Sequence, residues 1–369
     1  MSSLPLRERL ASLDVFRGGT IAAMILVNNQ VSSQAYGPLQ HAVWHGWTFT
    51  DLVFPSFLWI VGVAMTLSLA NRVRRGDDRG RLMLHIARRA ALIFGIGLLL
   101  NYMSHFDLSR VRIPGVLQRI GICYFFAGLI YLAFGRRVRF GITAGLLLLY
   151  WLLMMYVPVA GCGSGSLSMD CNFARWIDGL LLTGHMWSHS KTWDPEGIIS
   201  TLPAIGNTML GIFAGQIVAE REGNGERAVV WLFLTGNALM LVGLMLSTWM
   251  PVNKQLWTVP FAMLSSGIAS VLFAACFWMV DVRGWQRWKL PFVIFGVNAL
   301  AMFIVSGMLT RLSLMFRVGE LSLSQWLWIH VYQPVGSEAN ASLLFGLTHV
   351  AVCFLIALVL YRRNWILKV

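Results

Sequence analysis

Ten apolar runs, each about twenty residues long, constrain this chain more than any motif in it. They lie at Leu13–Val31, Thr50–Ala70, Leu82–Met103, Val116–Phe134, Phe140–Ala160, Ile198–Ala219, Ala228–Met250, Leu256–Val280, Leu290–Leu309 and Ser342–Tyr361. At 1.5 Å per residue, a helix of that length crosses a hydrocarbon core of about 30 Å. Lipid offers the backbone no hydrogen bonds, so a spanning segment must satisfy its own N–H and C=O groups as a helix. The expectation is an all-α, polytopic integral membrane protein with about ten transmembrane helices in one bundle. A further apolar stretch, Leu321–Val331, is too short to span and ends at Gln333-Pro334, so residues 321–333 read as an interfacial or re-entrant segment.

Composition removes the soluble alternative. Hydrophobic residues make up 57% of the 369 and charged ones 12%, against about 25% charged in a soluble domain. Mean hydropathy is +0.66. A formal net charge of +13 raises nucleic acid as a partner, but the basic residues sit in short loops between apolar runs, where they set topology. Alternate loops divide them unequally. One side carries twenty: Arg7 and Arg9, seven Arg from Arg72 to Arg89, Arg136, Arg137, Arg139, Arg221, Arg227, Arg283, Arg287, Lys289, Arg362, Arg363 and Lys368. The other carries seven: Arg110, Arg112, Arg175, Lys191, Lys254, Arg311 and Arg317. That bias places both termini in the cytoplasm. Arg7, Arg9 and Arg17 flank or interrupt the first run, and no small-residue cleavage site follows it, so no cleavable signal peptide is expected.

One transmembrane domain over residues 1–369 is expected, with one sizeable outer loop at 161–197. Cys162 and Cys171 flank a turn in that loop, and a disulfide between them is expected in an oxidising compartment. Cys123, Cys276 and Cys353 fall in spans and read as packing residues. No CxxC or HExxH spacing supports a metal site.

Charged and amide side chains inside spans are costly, so each asks for a reason. Asp14 and Arg17 are three residues apart on one helical face and can pair, either as an internal lock or with Arg17 binding an anion near the cytoplasmic side. The outer loop after the first span holds His41, Trp44, His45 and Trp47 without Lys or Arg, then leads into Thr50 and Asp51. A His beside an acid suits general-base or nucleophilic chemistry on acyl groups. Asp51 reads equally as a helix N-cap. A second outer cluster, Gly184-His185-Met186-Trp187 and Trp193-Asp194-Pro195-Glu196-Gly197, carries a helix-start signal in Asp-Pro-Glu. Glu196 reads as a cap or as a holder of a cationic substrate group. Lys254, Arg112 and Arg119 add cations to the same outer mouth, the setting for a polar, sugar-like ligand.

These stretches resemble the transmembrane acyltransferase family of heparan-α-glucosaminide N-acetyltransferase and its bacterial NagX-like relatives. The matching residues are Leu13-Asp14-Val15-Phe16-Arg17-Gly18, Val27-Asn28, Gln40-His41-Ala42-x-Trp44-x-Gly46, Asp51-Leu52-Val53-Phe54-Pro55 and Arg112-Ile113-Pro114-Gly115-Val116-Leu117-Gln118-Arg119. Asp194-Pro195-Glu196-Gly197, Asn253-Lys254-x-Leu256-Trp257 and Gly296-x-Asn298 continue them in family order. The resemblance implies an enzyme that takes acetyl from cytoplasmic acetyl-CoA and places it on an amino sugar across a bacterial inner membrane. It puts the catalytic His at His41 and its nearby Asn at Asn28, with Asp51 to orient the imidazole. Asp194, Glu196, Lys254, His45 and Arg119 become candidates for the sugar, and Arg17, Asp14, Asn298 and Arg88 for acetyl-CoA. His45 stands where the family commonly has Asn. The large luminal domain and extra first helix of the lysosomal enzyme find no match, so heparan fragments are not implied as substrate. Expected partners are acetyl-CoA, an amino-sugar acceptor and membrane lipids, with a homodimer left open and nucleic acid excluded. The alternative is a secondary transporter of amino sugars or muropeptides, which ten spans and buried charges also suit.

Overall fold

The computed structural model describes residues 10–31, 33–104, 106–220, 224–285 and 287–367. Arg7, Arg9, Arg221 and Lys368, which entered the charge comparison, lie outside them. In chain order the helices are α1 (Ala11–Asn28), α2 (Phe49–Arg74), α3 (Arg79–Tyr102), α4 (Val116–Ala133), α5 (Arg136–Tyr156), α6 (Phe173–Leu181) and α7 (Thr201–Glu220). They continue with α8 (Gly225–Leu246), α9 (Val259–Phe277), α10 (Leu290–Val297), α11 (Ala299–Met315), α12 (Leu323–Leu327) and α13 (Glu338–Arg362). A two-residue antiparallel ladder, β1 (Arg317–Val318) with β2 (Leu321–Ser322), is the one sheet among the described residues.

The chain is an all-α polytopic membrane protein. Among the described residues, eight helices are long and apolar enough to cross a membrane: α2, α3, α4, α5, α7, α8, α9 with its extension to Val282, and α13. The run expected at Leu290–Leu309 is two helices, α10 and α11, bent by 80° at Asn298, and makes a ninth span if the pair is one. The break has a visible cause. Asn298 turns its amide away from the helix, donating to Trp365 O at 3.0 Å and accepting from Leu367 N at 2.9 Å. α1 covers the first run but carries Asp14, Arg17 and Asn28, and is not in the apolar set. The segment after β2 forms only the five-residue α12 and a single wider turn, Trp328–Tyr332.

Contacts divide the chain into two compact units. The first takes in the chain up to Tyr36, Glu220–Thr235 and the part from Ser270 onward; the second takes in Gly37–Ala219 and Gly236–Ala269. In the first unit, α1 and α10 meet backbone to backbone through Gly18 and Gly296. Its interior polar groups pair within it. Thr310 Oγ1 donates to Asn29 Oδ1 at 3.0 Å, and Ser342 Oγ to Gln30 Oε1 at 3.0 Å. In the second unit, α2 and α7 form the centre, with 72% and 78% of their most apolar stretches buried against 22% for α5. They touch through Gly62 and Gly211, where an added Cβ would lie 2.1 Å from Thr208 O and 2.0 Å from Trp59 O. Small residues let spanning helices approach this closely, and packing rather than hydrophobicity holds helices together in lipid.

The loop after α5 contains the expected Cys162–Cys171 disulfide, and Cys123, Cys276 and Cys353 are free and buried. From that loop, Leu167, Phe173 and Ala174 pack with Tyr150, Met154, Met250 and Leu256 in one apolar cluster. This cluster anchors the loops that carry the polar residues described next.

Candidate active site

α2 begins with an acid. Asp51 is almost fully buried, and its Oδ2 accepts from Thr48 N at 3.0 Å, tying the carboxylate into the first helical turn. The same oxygen accepts from Ala42 N at 3.0 Å, which draws the preceding loop over the helix end. Oδ1 is left for His41, whose Nδ1 lies 2.6 Å away. Asp51 is not itself the N-cap that the sequence suggested: Thr48 is, and Asp51, two residues into α2, closes a capping box with it and also holds an imidazole. Because an ionised carboxylate only accepts, Nδ1 carries the proton and Nε2 presents the lone pair. The His41 side chain is 45% exposed while Asp51 is 1% exposed. A buried acid orienting an accessible imidazole is the arrangement that makes His a base or a nucleophile.

The loop after His41 is fixed on both sides. Trp44 Nε1 donates to Leu167 O at 2.8 Å, and the ring packs edge-on to Trp193 at 5.2 Å. Gly46 N donates to Val252 O at 2.7 Å, and its backbone pairs with Asn253. Asn253 Nδ2 lies 3.3 Å from His45 Nδ1, so His45 accepts there and is neutral. Partial burial holds its pKa below the ordinary value. Lys254 follows Asn253 in the same turn, and its charge acts on both Asp51 and Glu196.

A second cluster surrounds Arg112. Its Nε donates to Asp194 Oδ2 at 2.8 Å and its Nη2 to Asp194 Oδ1 at 2.6 Å, a bidentate pair. Nη2 also reaches Glu196 Oε2 at 2.5 Å. The guanidinium lies 5.8 Å from the Trp187 ring centre. Burial works against the Arg112 charge, but Asp194 and Glu196 raise its pKa above the ordinary value. Burial alone would lift the Glu196 carboxyl, yet Arg112, Lys254 and Arg119 together hold it below its usual range.

The Asp-Pro-Glu signal leads one to expect a helix start at Asp194, and here the structure differs. α7 begins at Thr201, and Asp194–Gly197 is a tight turn with Gly197 N donating to Asp194 O at 2.9 Å. The reason lies in α6, which sequence reasoning passed over. Asp178 is buried and accepts from Asp194 N at 3.2 Å and Ile198 N at 3.0 Å, holding the turn from beneath. A side chain at residue 197 would put Cβ 2.1 Å from Asp178 Oδ2, so only Gly fits there. The signal that could have found Asp178 is an acid on the buried face of a short amphipathic helix.

Arg119, in the first turn of α4, is 1% exposed. Its Nη2 donates to Gly197 O at 3.1 Å and to Ser200 Oγ, and its guanidinium stands 5.0 Å from the Trp257 ring centre. The second unit therefore gathers His41, His45, Asp51, Arg119, Asp194, Glu196 and Lys254, joined by Arg112, Asp178 and Trp257. Arg88 also belongs to it, exposed on α3 well along the chain from the cluster. Asn28, Asp14, Arg17 and Asn298 belong to the first unit. Asn28 is the exposed last residue of α1. Arg17 Nη1 pairs with Asp14 Oδ1 at 3.2 Å and reaches Gly296 O at 3.4 Å. Among the described residues no group of His, Cys, Asp and Glu could hold a metal ion.

The sequence carries independent relationships that bear on this arrangement. Residues 9–245 match the family model described as heparan-alpha-glucosaminide N-acetyltransferase, catalytic. The human heparan-alpha-glucosaminide N-acetyltransferase is 32% identical over a match covering 82% of this chain and 53% of that protein. The mouse protein of the same name is 28% identical over 80% of this chain and 53% of its own length. The chain spans about half the length of these curated relatives. With the family match covering the dyad, Arg112, Asp194 and Glu196, the chain belongs to the family defined by the catalytic region of heparan-alpha-glucosaminide N-acetyltransferase.

Proposed function

We propose that this protein is a multi-pass N-acetyltransferase of a bacterial inner membrane, acting as one functional domain. It moves the acetyl group of cytoplasmic acetyl-CoA to the amine of a glucosamine-type sugar on the periplasmic side. The observation that carries this reading is the 2.6 Å contact between His41 Nδ1 and the buried Asp51 carboxylate, within the stretch that matches the family model.

His41 Nε2 takes the proton of the sugar amine as its nitrogen attacks the thioester carbonyl, and passes it to the departing sulfur. The N–C bond forms, the C–S bond breaks, and amide and thiol leave. A route in which Nε2 first accepts the acetyl group uses the same imidazole tautomer. Arg112 pairs with both Asp194 and Glu196, and Lys254 and Arg119 also act on Glu196, so these carboxylates suit sugar hydroxyls better than an ammonium. That favours the neutral amine, which is the form that attacks. Lys254 and His45 border the same mouth. Arg17, held by Asp14, together with Asn298 and Arg88, is assigned to the CoA phosphates and adenine at the cytoplasmic end.

Purified protein in detergent, incubated with labelled acetyl-CoA and glucosamine, should yield labelled N-acetylglucosamine. His41→Ala should lower the rate by ~10²–10⁴ while melting at the wild-type temperature. A His41→Ala protein that turns over normally would remove the assignment.

A further inference from the structure

Arg119 and Trp257 are buried to 1% and 0% exposure, yet three of their nitrogens have no acceptor among the described residues: Arg119 Nε, Arg119 Nη1 and Trp257 Nε1. Buried donors are nearly always matched, and a cationic one left unmatched is costly. The guanidinium cannot swing to find a partner, because Nη2 is fixed to Gly197 O and Ser200 Oγ. Of the carboxylates acting on it, Glu196 and Asp194 are committed to Arg112 and Asp178 to the amides of Asp194 and Ile198.

Trp257 is held here against its backbone preference. Its φ is +53°, in the left-handed region that a bulky aromatic residue avoids. The fully buried Asn253 enforces it, accepting from Leu256 N through Oδ1 at 2.8 Å and from Thr258 N through its carbonyl at 3.1 Å. Strain kept in place by so many bonds is a mark of functional sites.

The position of the pair is set by α2. Phe54 follows Asp51 by one helical turn, and its ring packs edge-on to Trp257 at 5.2 Å. Trp257 therefore packs on the helix whose first turn carries the carboxylate that orients His41, one turn further along it.

We propose that Arg119 and Trp257 form an oxygen-binding subsite for the acyl group. Resting on the function proposed above, the subsite takes the carbonyl oxygen of the acetyl thioester. As the amine nitrogen bonds to the carbonyl carbon, the C=O electron pair moves onto that oxygen, where the guanidinium and indole N–H groups receive its charge. The pair returns as the C–S bond breaks, and the sulfur leaves with the proton carried by His41. Fixed donors in a dry site stabilise such a charge without reorganising.

Trp257→Phe tests this, since it keeps an aromatic ring beneath the guanidinium and deletes the N–H along with part of the indole. It should lower kcat by about 10²-fold and leave KM for glucosamine within about twofold, while remaining folded with a melting temperature lowered by the cavity that the smaller ring leaves. Arg119→Lys, which keeps the charge but loses Nε and Nη1, should also lose kcat. Both variants should bind desacetyl CoA as wild type does by calorimetry. Wild-type kcat in either variant overturns the subsite and assigns the donors to a structural water. A raised KM for glucosamine with kcat intact overturns it too, giving the donors to a sugar hydroxyl. In both cases the wild-type enzyme still acetylates, so the proposed function stands; a wild type that transfers no acetyl group sinks both.

Discussion

Arg112 Nη2 stands 2.5 Å from Glu196 Oε2 and 2.6 Å from Asp194 Oδ1, so a single guanidinium bridges two carboxylates more than eighty residues away in sequence. Both carboxylates are buried, at 0% and 6% side-chain exposure, while Arg112 is 23% exposed. Removing the cation leaves both buried acids without their guanidinium, Asp194 keeping only the amides of Glu196 and Trp187, each at 2.9 Å. Arg112→Gln should therefore destabilise the protein by about 3–5 kcal/mol, read from thermal melting in detergent. Arg112→Lys should fall between the two, because it keeps the charge and loses the bidentate geometry. An Arg112→Gln protein that melts with wild type would mean the carboxylates are protonated in the folded state.

The turn beneath Arg112 makes stability depend on pH in two opposing ways. Burial is the largest influence on Asp178 and pushes its carboxyl up to about 6, helped by the Asp194 charge, against two backbone amides and Arg119. In the unfolded chain an Asp titrates near 3.9, so the folded state binds this proton more tightly. The stabilisation it gives is complete below about pH 4 and is lost as pH rises through about 6, on the order of 2 kcal/mol. Glu196 runs the other way: its folded pKa is depressed, so its contribution is present above its ordinary range and lost on acidification. Melting temperature should therefore fall between pH 4 and 6 on the Asp178 account and fall again in stronger acid. Asp178→Asn should flatten the first slope and leave the second. A wild-type curve that rises steadily from pH 4 to 6 would refute the Asp178 assignment.

Gly18 and Gly296 make a different kind of demand. A Cβ on Gly18 would lie 1.8 Å from Phe292 O, and one on Gly296 would lie 1.9 Å from Asp14 O. Both obstacles are backbone, so the helices themselves must separate. Either Ala substitution should cost about 1–3 kcal/mol or more, and should loosen the Arg17 contact to Gly296 O as α10 moves. Gly19→Ala is the control, since its added Cβ would meet only the Phe292 ring at 3.6 Å. Equal melting of all three variants would show that α1 and α10 adapt without strain.

The spans were legible because their signal is local: a run of apolar residues carries its own length. Asp51 and His41 were legible too, being ten residues apart on one loop and helix start. Arg112 could be read as a cation at the outer mouth, but not as the partner of Asp194 and Glu196, because the pairing spans 82 and 84 residues. Asp194 misled as a helix cap for the same reason. Its carboxylate answers to Arg112, to Trp187 N at 2.9 Å and, in a local turn, to Glu196 N at 2.9 Å, and no helix begins there. The break at Asn298 was hidden because the nearby Gly296 sits inside an otherwise unbroken apolar run; the cause is a side chain reaching Trp365 and Leu367, far along the sequence.

Sidedness decides between an enzyme and a transporter, and the Lys and Arg asymmetry makes it testable. The α2–α3 connection, with Arg72, Arg74, Arg75, Arg79 and Arg81, should face the cytoplasm, and the disulfide loop should face outward. A Cys placed at Ser190 should react with an impermeant maleimide on intact spheroplasts, and one at Gly76 should not. Once orientation is known, sealed proteoliposomes separate the functions. An acyltransferase with His41 and Asp51 on the outer side should acetylate external glucosamine using only acetyl-CoA held on the cytoplasmic face, and labelled sugar should stay outside. A transporter would carry unmodified glucosamine inward without acetyl-CoA. The donor end can be probed at Arg17, whose side chain is 24% exposed beside Asp14. Losing a charge-assisted hydrogen bond there should weaken acetyl-CoA binding by about 1.5–3 kcal/mol in Arg17→Ala and leave sugar affinity unchanged. If Arg17→Ala instead weakens glucosamine binding and spares acetyl-CoA, donor and acceptor enter from the opposite sides to those assigned, and His41 waits at the donor's end.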